Sequence, residues 1–465
     1  MNNVESEVKI LDKYKMMIFN ELVKSIWYDK TDDIDKIPDR ILNEDSTYEE
    51  KFDKQTIVNL IRIVMGLEAA DDSPKTIKDI LQEAKDLGEI KEPIVSVIKD
   101  ACKYCDQNNG EDESCTVRDK HMSHHEESSC STCGDCISAC KLGAISDKIQ
   151  FVPMIDLLKD DNKPVYAIVA PAFVGQFGNE ATPGKLRSAL KEMGFKDMVE
   201  VSLAADMLTA KEAYEYQHHI ENKESGYFIT SCCCPIWVSL IQHSFPEIIE
   251  NVSPSVSPMV ACGRAIKFLD PDAKVVFIGP CIAKKKEAIL DDIKDAVDFV
   301  LTFKELEEIF DALEIKPEEL EDEERTEASA AGRVYARTGG VSKAVESSVK
   351  RLNKDIPFVA TSFDGAKNCK EGMKKVINKE LEATFIEGMG CVGGCVGGPK
   401  RILSVEEGTQ NVNDYCDATN METPFDNVNV LQFLTSLGIK RLESLGEKEE
   451  EQVKNIFSRD FENKK

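Results

Sequence analysis

The chain has 465 residues, and its 85 Asp and Glu against 58 Lys and Arg give a formal net charge of -27 at pH 7. Nucleic acids and anionic membranes are bound by basic faces, so this charge argues against both as partners. No stretch approaches 18 consecutive apolar residues, and the first ten residues contain no apolar signal core. A cytoplasmic protein of several domains, without a membrane span, is therefore expected.

The first 95 residues contain no cysteine and are predicted to form an accessory helical domain. Apolar residues recur at spacings of three and four between positions 10 and 26, which is the pattern of an amphipathic helix. Further helices are predicted at 54–67 and from Pro74 onward. Nothing in this region suggests chemistry, so the functional residues are expected downstream.

The chain has sixteen cysteines, and most of them are clustered. They stand at positions 102, 105, 115, 130, 133, 136, 140, 232, 233, 234, 262, 281, 369, 391, 395 and 416. Disulfides are disfavoured in a reducing cytosol, so cysteine clusters there indicate metal binding or catalysis.

Residues 96–150 are predicted to form a ferredoxin-like module. Cys130, Cys133, Cys136 and Cys140 are spaced as in the [4Fe–4S] run of bacterial ferredoxins. Zinc is the main alternative, because Cys-x2-Cys pairs also bind zinc, but zinc sites usually separate the pairs by a longer loop. The run departs from the ferredoxin pattern at Lys141, where proline is usual. The spacing favours an iron–sulfur cubane.

Three further cysteines, Cys102, Cys105 and Cys115, leave room for a second cubane in this module. In two-cluster ferredoxins the fourth cysteine of a run ligates the other cluster, so Cys140 would join these three. Cys130, Cys133 and Cys136 would then be one ligand short, and a histidine at 121, 124 or 125 could complete either site. For each single histidine, a position in a solvated loop is the simpler explanation. One [4Fe–4S] cluster is predicted, and a second is left open.

Residues 160–425 are predicted to form an α/β domain, followed by helices at 426–465. Strands alternate with helices here, which indicates parallel sheets with sites at the carboxyl ends of the strands. Three predicted strands, at 227–230, 274–279 and 382–386, run directly into cysteines. The convergence of these strand ends is stronger support for a metal site than any one motif.

The third of these stretches, residues 387–399, places Cys391 and Cys395 four residues apart among six glycines. Glycine lets the backbone approach a bulky group closely, and thiolates are ligands of soft metals and iron–sulfur clusters. The alternative is an inert, buried cysteine pair beside a glycine-rich turn.

Three motifs in this domain resemble, in order, those of the [FeFe]-hydrogenases. They are Thr230-Ser-Cys-Cys-Cys-Pro-Ile-Trp237, Pro280-Cys-Ile-Ala-Lys-Lys-Lys-Glu287 and Glu387-Gly-Met-Gly-Cys-Val-Gly-Gly-Cys395. The resemblance covers residues 100–425, and three motifs in order are highly specific. The extra cysteine of the first motif resembles the group-B branch of the family.

The resemblance implies an H-cluster, a [4Fe–4S] cubane joined through a cysteine sulfur to a two-iron unit with CO, cyanide and azadithiolate ligands. Cys281, Cys391 and Cys395 correspond to cubane ligands, and Cys395 to the bridging one.

The resemblance leaves the register of the first motif open. Counting from Thr230 makes Cys233 the ligand and Cys232 the proton-relay thiol, whereas counting back from Pro235 makes them Cys234 and Cys233. The first count is slightly preferred, because a strand end is expected to be the more rigid reference.

The resemblance also implies a proton relay of two glutamates and a serine, which correspond to Glu212, Glu215 and Ser253. The glutamates lie one helical turn apart and share a helix face, although on spacing alone a solvated surface would explain them. Lys284 corresponds to a lysine that holds a cyanide ligand.

Two other positions correspond in the resemblance to residues around the two-iron unit: Met389 to a methionine that packs near the bridging CO, and Pro171 to a proline that lines the pocket. Two positions depart from the family pattern, since Gly279 replaces a methionine and Met259 a glutamine. Residues around a metal site tune its potential, so the catalytic bias is left open.

The function that the resemblance implies is reversible oxidation of H2 to protons and electrons. Ferredoxin or a similar electron carrier and hydrogenase maturation proteins are the expected partners. The alternatives are a hydrogen or redox sensor and a non-catalytic iron–sulfur protein. The sensor alternative is not supported by any receiver, kinase or PAS-like segment, because none is recognised in the sequence.

Overall fold

The computed structural model describes residues 9–44, 52–70, 76–102, 130, 132–160, 162–222, 226–230, 233–447 and 450–461. The chain divides into two compact units. Unit one comprises Met1–Asp160 and Glu305–Ile315, and unit two comprises Asp161–Lys304 and Lys316–Lys465.

Unit one is mainly helical. Its helices are Ile10–Trp27, Ile37–Glu44, Lys54–Val64, Ile77–Leu87, Lys99–Cys102, Asp135–Ala139, Val152–Leu158 and most of Phe303–Leu313. Two short strands, β1 (Val95–Val97) and β2 (Ile145–Asp147), form an antiparallel pair.

Side-chain caps explain where two of these helices begin. Asp53 accepts a hydrogen bond from the Thr56 amide at 2.9 Å, immediately before the helix Lys54–Val64. Thr76 and Asp79 form a reciprocal capping box at the start of Ile77–Leu87. Each cap satisfies amide groups that have no partner within the helix.

Unit two contains two parallel sheets, as the alternation of strands and helices predicted. Its strands are β3 (Val165–Val169), β4 (Asp197–Glu200), β5 (Phe228–Ile229), β6 (Lys274–Gly279), β7 (Phe299–Thr302), β8 (Ala360–Asp364) and β9 (Phe385–Met389). The first sheet has the order β4–β3–β6–β7 and the second has the order β5–β9–β8. Every neighbouring pair in both sheets is parallel.

The helices of unit two are Pro183–Glu192, Val201–Glu221, Pro235–Ser244, Pro258–Leu269, Ala283–Glu287, Ala330–Arg333, Gly340–Leu352, Ala366–Ile377, Val405–Asp417, Val428–Ser436 and Glu451–Phe457. Strand β3 is central and lies in register with β4 and β6, so that Ala167 pairs with Met198 and Val276. Ala167 and Val276 are fully buried, as expected for a parallel sheet that is covered on both faces.

The helix Val201–Glu221 begins directly after β4. All residues from Val201 to Ala213 are buried, including the polar side chains among them. A helix that is buried on all sides has no apolar stripe, so hydrophobic periodicity does not mark the first half of this helix. Among the described residues, no helix has the length and apolarity required to cross a membrane.

Candidate active site

The three cysteine motifs follow the carboxyl ends of strands in both sheets of unit two. The first motif follows β5, the second follows β6, and the third begins within β9. Strands β5 and β9 are hydrogen-bonded neighbours, with Phe228 opposite Phe385. The first and third motifs therefore leave the same sheet edge side by side.

Glycines in the third motif allow it to lie against the first. A Cβ atom at Gly388 would stand 2.2 Å from the Trp237 ring, and one at Gly390 would stand 2.6 Å from Ile236. The Trp237 indole N–H also donates to the Thr230 carbonyl oxygen at 2.9 Å. Any larger residue at these two glycines would push the first and third motifs apart.

The end of the glycine-rich stretch contacts the second motif. A Cβ atom at Gly398 would stand 2.7 Å from the Pro280 carbonyl oxygen, which accepts a hydrogen bond from the Lys400 amide at 3.0 Å. The turn itself uses Gly393 and Gly394, whose φ angles are +85° and +87°. The three motifs thus converge on one site.

Glu387 anchors the third motif to the helix Gly340–Leu352. Its carboxylate is fully buried and accepts amide hydrogen bonds from Gly339 at 2.9 Å and Ser342 at 2.8 Å. These amides stand at the helix N-terminus, where backbone donors and the helix dipole favour an anion. Burial raises the pKa of Glu387, and the hydrogen bonds from Ser342 and Gly339 oppose that shift.

Three thiols from the three motifs lie together. Burial, together with the neighbouring Cys234 thiol, raises the pKa of Cys281 to about 11. Burial raises the pKa of Cys395 to about 12, with added contributions from Cys234 and Cys281. These mutual effects require proximity of the thiols, because interactions between charges weaken with distance. Cys391, half-buried, belongs to the same loop as Cys395.

The last cysteine of the first motif, Cys234, lies at the start of a helix and contacts the third motif. Cys234 immediately precedes the helix Pro235–Ser244, and its sulfur accepts the Gly390 amide proton at 3.2 Å. Strand β5 ends at Ile229, before the cysteines, and the choice between the two counts of the first motif stays a prediction.

Cys233 has a different neighbour from Cys234. Its thiol donates to the Met389 sulfur at 3.7 Å, and the residue is buried. Ser231 and Cys232 lie outside the described residues. The expectation that Cys232 is the relay thiol therefore remains a prediction.

Cys369 is a further cysteine at this site that sequence reasoning did not single out. Its thiol donates to the Met389 carbonyl oxygen at 3.3 Å. Burial raises its pKa to about 12, and Cys234 adds to the shift. Cys369 is an isolated cysteine in the helix Ala366–Ile377, outside the three motifs, so no spacing marked it.

Lys284 provides a positive charge among the thiols. Its ammonium forms a buried ion pair with Glu287 at 2.5 Å. Burial alone would lower the pKa of Lys284, but Glu287, Cys281 and Cys395 outweigh it and raise the pKa. The lysine therefore stays charged beside the thiols, and Glu287 holds it in position.

Glu212 is buried and contacts the start of the first motif, so it is not a solvated helix residue. The Thr230 hydroxyl donates to this carboxylate, with its oxygen 2.7 Å from Oε2 and 3.0 Å from Oε1. Glu215, one turn along the helix, accepts hydrogen bonds from Lys211 at 2.5 Å and from Ser253 at 2.8 Å. Glu215 and Ser253 are therefore direct partners.

Pro171 and the two departures from the family pattern also lie near the strand ends. Pro171 begins a single 3₁₀ turn after β3. A Cβ atom at Gly279 would stand 2.7 Å from the Phe277 ring and 3.1 Å from the Ala170 Cβ, so this backbone leaves little room for a side chain. Met259 is almost fully buried in the helix Pro258–Leu269.

The cysteine run of unit one includes the short helix Asp135–Ala139, which contains Cys136. Burial raises the pKa of Cys136 to about 12, with added contributions from Cys133 and Cys130, so these three thiols are near one another. Cys140 directly follows the helix.

Of the cysteines considered for a second cubane, only Cys102 belongs to the described residues, and its thiol donates to the Ile98 carbonyl oxygen at 3.7 Å. Cys105, Cys115 and the histidines at 121, 124 and 125 lie outside them. The second cluster therefore remains a prediction.

The donors in unit two suit an iron–sulfur cluster. Cysteine sulfurs are its usual ligands, and a glycine-rich loop leaves room for a bulky group. In the described part of the chain, no three His, Cys, Asp or Glu side chains surround one point closely enough to hold a single metal ion.

Comparison with known proteins identifies the α/β domain. Residues 163–399 match the family described as "Iron only hydrogenase large subunit, C-terminal domain". Iron hydrogenase 1 of Clostridium pasteurianum is 31% identical over 309 residues, which cover 55% of this chain and 53% of that protein. This chain thus spans about half the length of the curated relatives that it matches.

Two other similarities bear on fold and function. A variant of the [FeFe]-hydrogenase HydA1 from Chlamydomonas reinhardtii shares the fold, with a TM-score of 0.53 and 21% identity over 65% of this chain and 96% of that chain. A cytosolic Fe-S cluster assembly factor, NAR1 of Meyerozyma guilliermondii, is 30% identical over 137 residues, 26% of this chain and 25% of that protein.

Proposed function

Because this chain belongs to the iron-only hydrogenase family, we propose that it converts H2 reversibly into two protons and two electrons at an H-cluster. The observation that carries the proposal is the grouping of Cys234 with Cys281 and Cys395, with the charged Lys284 beside the last two. If Cys391 and Cys395 were only an inert pair beside a turn, cysteines from the other two motifs and a buried ammonium would not be required next to them.

Four cysteines would hold the cubane in this proposal: Cys234, Cys281, Cys391 and Cys395, with Cys395 as the bridge. When bound, the cluster would supply an open iron position at which H2 is split heterolytically. Lys284 would offset the negative charge of thiolates and cyanide, because a buried anion needs a nearby cation.

Cys233, Glu212, Glu215 and Ser253 would move protons. The Cys233 thiol adjoins Met389, which lies in the third motif, and a thiol can accept and release a proton near neutral pH. Glu212 would hold the next proton on its carboxylate beside Thr230. The buried position of Glu212 would exclude water from this part of the route.

Electrons would enter through the ferredoxin-like module. Cys130, Cys133, Cys136 and Cys140 would hold one [4Fe–4S] cluster, and Cys102, Cys105 and Cys115 would contribute to a second. Ferredoxin or a similar carrier would be the electron partner in the cytoplasm. Maturation proteins would be needed, because no protein side chain supplies CO or cyanide.

A non-catalytic iron–sulfur role is the second candidate, and the NAR1 similarity favours it. That match covers 26% of this chain, whereas the hydrogenase family model covers residues 163–399. Two features support proton transfer, and with it the catalytic role: the Cys233 thiol beside Met389, and a buried glutamate that accepts a hydrogen bond from Thr230.

The test is to mature the protein with a synthetic two-iron complex and to measure H2 evolution from reduced viologen. Infrared bands of CO and cyanide report whether the cluster is bound. Cys281→Ala should lose these bands, because it removes a cubane ligand, whereas Cys262→Ala, a buried cysteine outside the motifs, should keep them. Bands without turnover would favour a sensor, and absence of both would favour the non-catalytic role.

A further inference from the structure

Cys369 is a buried cysteine of the helix Ala366–Ile377, outside the three motifs. It belongs to the buried face of this helix, together with Met373 and Val376, so packing alone would be the simplest explanation of its side chain. Packing does not explain the direction of its hydrogen bond. The thiol points out of its own helix and donates to the Met389 carbonyl oxygen at 3.3 Å, at the end of strand β9.

A different acceptor was available to this thiol. Short polar side chains on a helix can bond the carbonyl oxygen four residues earlier, and the Cys102 thiol does so with Ile98 at 3.7 Å. The equivalent carbonyl for Cys369 is that of Gly365, which accepts the Cys369 amide proton at 2.9 Å and has a second lone pair. The thiol bonds the third motif instead.

The sheet and one turn place Cys369 beside the third motif. Strand β8 pairs with β9 so that Asp364 lies opposite Met389. Gly365 follows with a φ angle of +75°, which glycine adopts without strain, and turns the chain into the helix. Cys369 stands about one helical turn after Gly365, so its side chain returns to the strand end that Met389 occupies.

The peptide unit between Met389 and Gly390 is hydrogen-bonded at both ends. Its carbonyl oxygen accepts from the Cys369 thiol, and its N–H, the amide of Gly390, donates to the Cys234 sulfur at 3.2 Å. The C=O and N–H of a trans peptide point in opposite directions, so the two sulfurs lie on opposite sides of this peptide. Cys369 is thus placed as a donor behind Cys234, and not as another ligand beside it.

Two hydrogen bonds in series through one peptide strengthen each other. A donor on the carbonyl oxygen polarises the amide, and its N–H becomes a stronger donor, by about 10–30% for each bond. A stronger N–H bond to a cluster-bound sulfur stabilises the reduced cluster, which is the more negative one, and so raises the reduction potential. Cys369 can therefore act on Cys234 without contacting it.

We propose that Cys369 is a positioning residue that holds the Met389–Gly390 peptide and raises the reduction potential of the cubane through Cys234. The proposal rests on the proposed function, because it takes Cys234 as the cubane ligand of the first motif. The couple concerned is the uptake of one electron by the cubane, in which no bond is made or broken and no proton moves. Cys369 and Met389 are both almost fully buried, so bulk water does not compete with the thiol for the carbonyl oxygen.

The experiment is a redox titration of the full-length chain reconstituted with iron and sulfide, followed by the electron paramagnetic resonance signal of the reduced cubane. The signal that is lost in Cys281→Ala identifies the cubane of unit two, because that variant removes one of its proposed ligands. In Cys369→Ala, which has no donor, we expect the ratio of reduced to oxidised cubane at a fixed potential to fall by about twofold. This is a shift of about 18 mV toward lower potential, at about 59 mV per factor of ten for one electron.

Two variants separate the hydrogen bond from packing. Cys369→Ser keeps a donor in the same place and should titrate at or above the wild-type potential. Cys262→Ala is the matched control, because it removes a buried cysteine outside the motifs, and it should leave the potential unchanged. A wild-type potential in Cys369→Ala overturns the proposal, and so does an equal downward shift in Cys369→Ser, since the donor would then have no effect.

If Cys369→Ala does not retain the cubane signal, Cys369→Val, which leaves no cavity, is titrated in its place. Loss of the signal from both variants overturns the proposal, because Cys369 would then be needed for assembly. The proposal is also overturned if Cys281→Ala removes no signal from the wild-type spectrum. Failure of the proposed function is seen in a different measurement, because the wild-type protein would then show no turnover and no CO or cyanide bands after maturation.

Discussion

Glu212→Gln tests the proton route where it contacts the first motif. The Thr230 hydroxyl lies within 3.0 Å of both carboxylate oxygens, so a glutamine in the same place can accept its proton and donate to its oxygen. Exchanging a charge-assisted for a neutral hydrogen bond costs about 1 kcal/mol of folding free energy, and removing a buried charge offsets part of that cost. The fold should therefore survive the substitution.

The expected effect on turnover is larger than this structural cost. An amide cannot hold and release a proton, and loss of an acid–base group lowers rates by about 10²- to 10⁴-fold. A 100-fold loss corresponds to about 2.7 kcal/mol of activation free energy, at about 1.36 kcal/mol for each factor of ten. Turnover should thus fall by at least about 100-fold in a protein that remains folded.

The assay is H2 evolution from reduced viologen, with the infrared bands of CO and cyanide as the check on cluster assembly. Glu221→Gln is the matched control, because Glu221 is an exposed glutamate on the same helix that accepts a hydrogen bond from Gln217. Intact bands with wild-type turnover in Glu212→Gln would refute the reasoning, since protons would then bypass this carboxylate.

Three further predictions concern assembly and electron supply. Cys234→Ala should abolish the CO and cyanide bands, whereas Cys233→Ala should retain the bands and lose turnover. Loss of the bands in Cys233→Ala but not in Cys234→Ala would instead support the count from Thr230, which makes Cys233 the ligand. Gly388→Ala should lower the midpoint of urea unfolding of unit two by an amount equivalent to about 1–3 kcal/mol, since its Cβ would stand 2.2 Å from the Trp237 ring. Gly226→Ala, which meets nothing within 4 Å, should be neutral, and equal effects of the two would contradict the packing argument. Cys130→Ala should lower ferredoxin-linked activity with the H-cluster bands intact, and a loss of zinc rather than iron on metal analysis would disprove the cubane.

Local sequence determined the family, the parallel sheets and the order of the three motifs. Cys391 and Cys395 are four residues apart within a glycine-rich stretch, so their pairing as candidate ligands needs no knowledge of the fold. Sites in parallel sheets form at the carboxyl ends of the strands. Recognising a strand directly before the second motif is therefore enough to make Cys281 a candidate ligand of the same site. Motif spacing and the strand that precedes each motif are both properties of short segments of the chain.

Tertiary structure decided the relations between residues far apart in the chain. Cys234 lies near Cys281 and Cys395 at the start of the helix Pro235–Ser244, and no spacing within the motif encodes that proximity. The buried ion pair of Lys211 with Glu215 was also not predicted, since a lysine beside a glutamate on a helix normally indicates a solvated face. Burial decides which partners these side chains have, and burial depends on which distant segments pack against them.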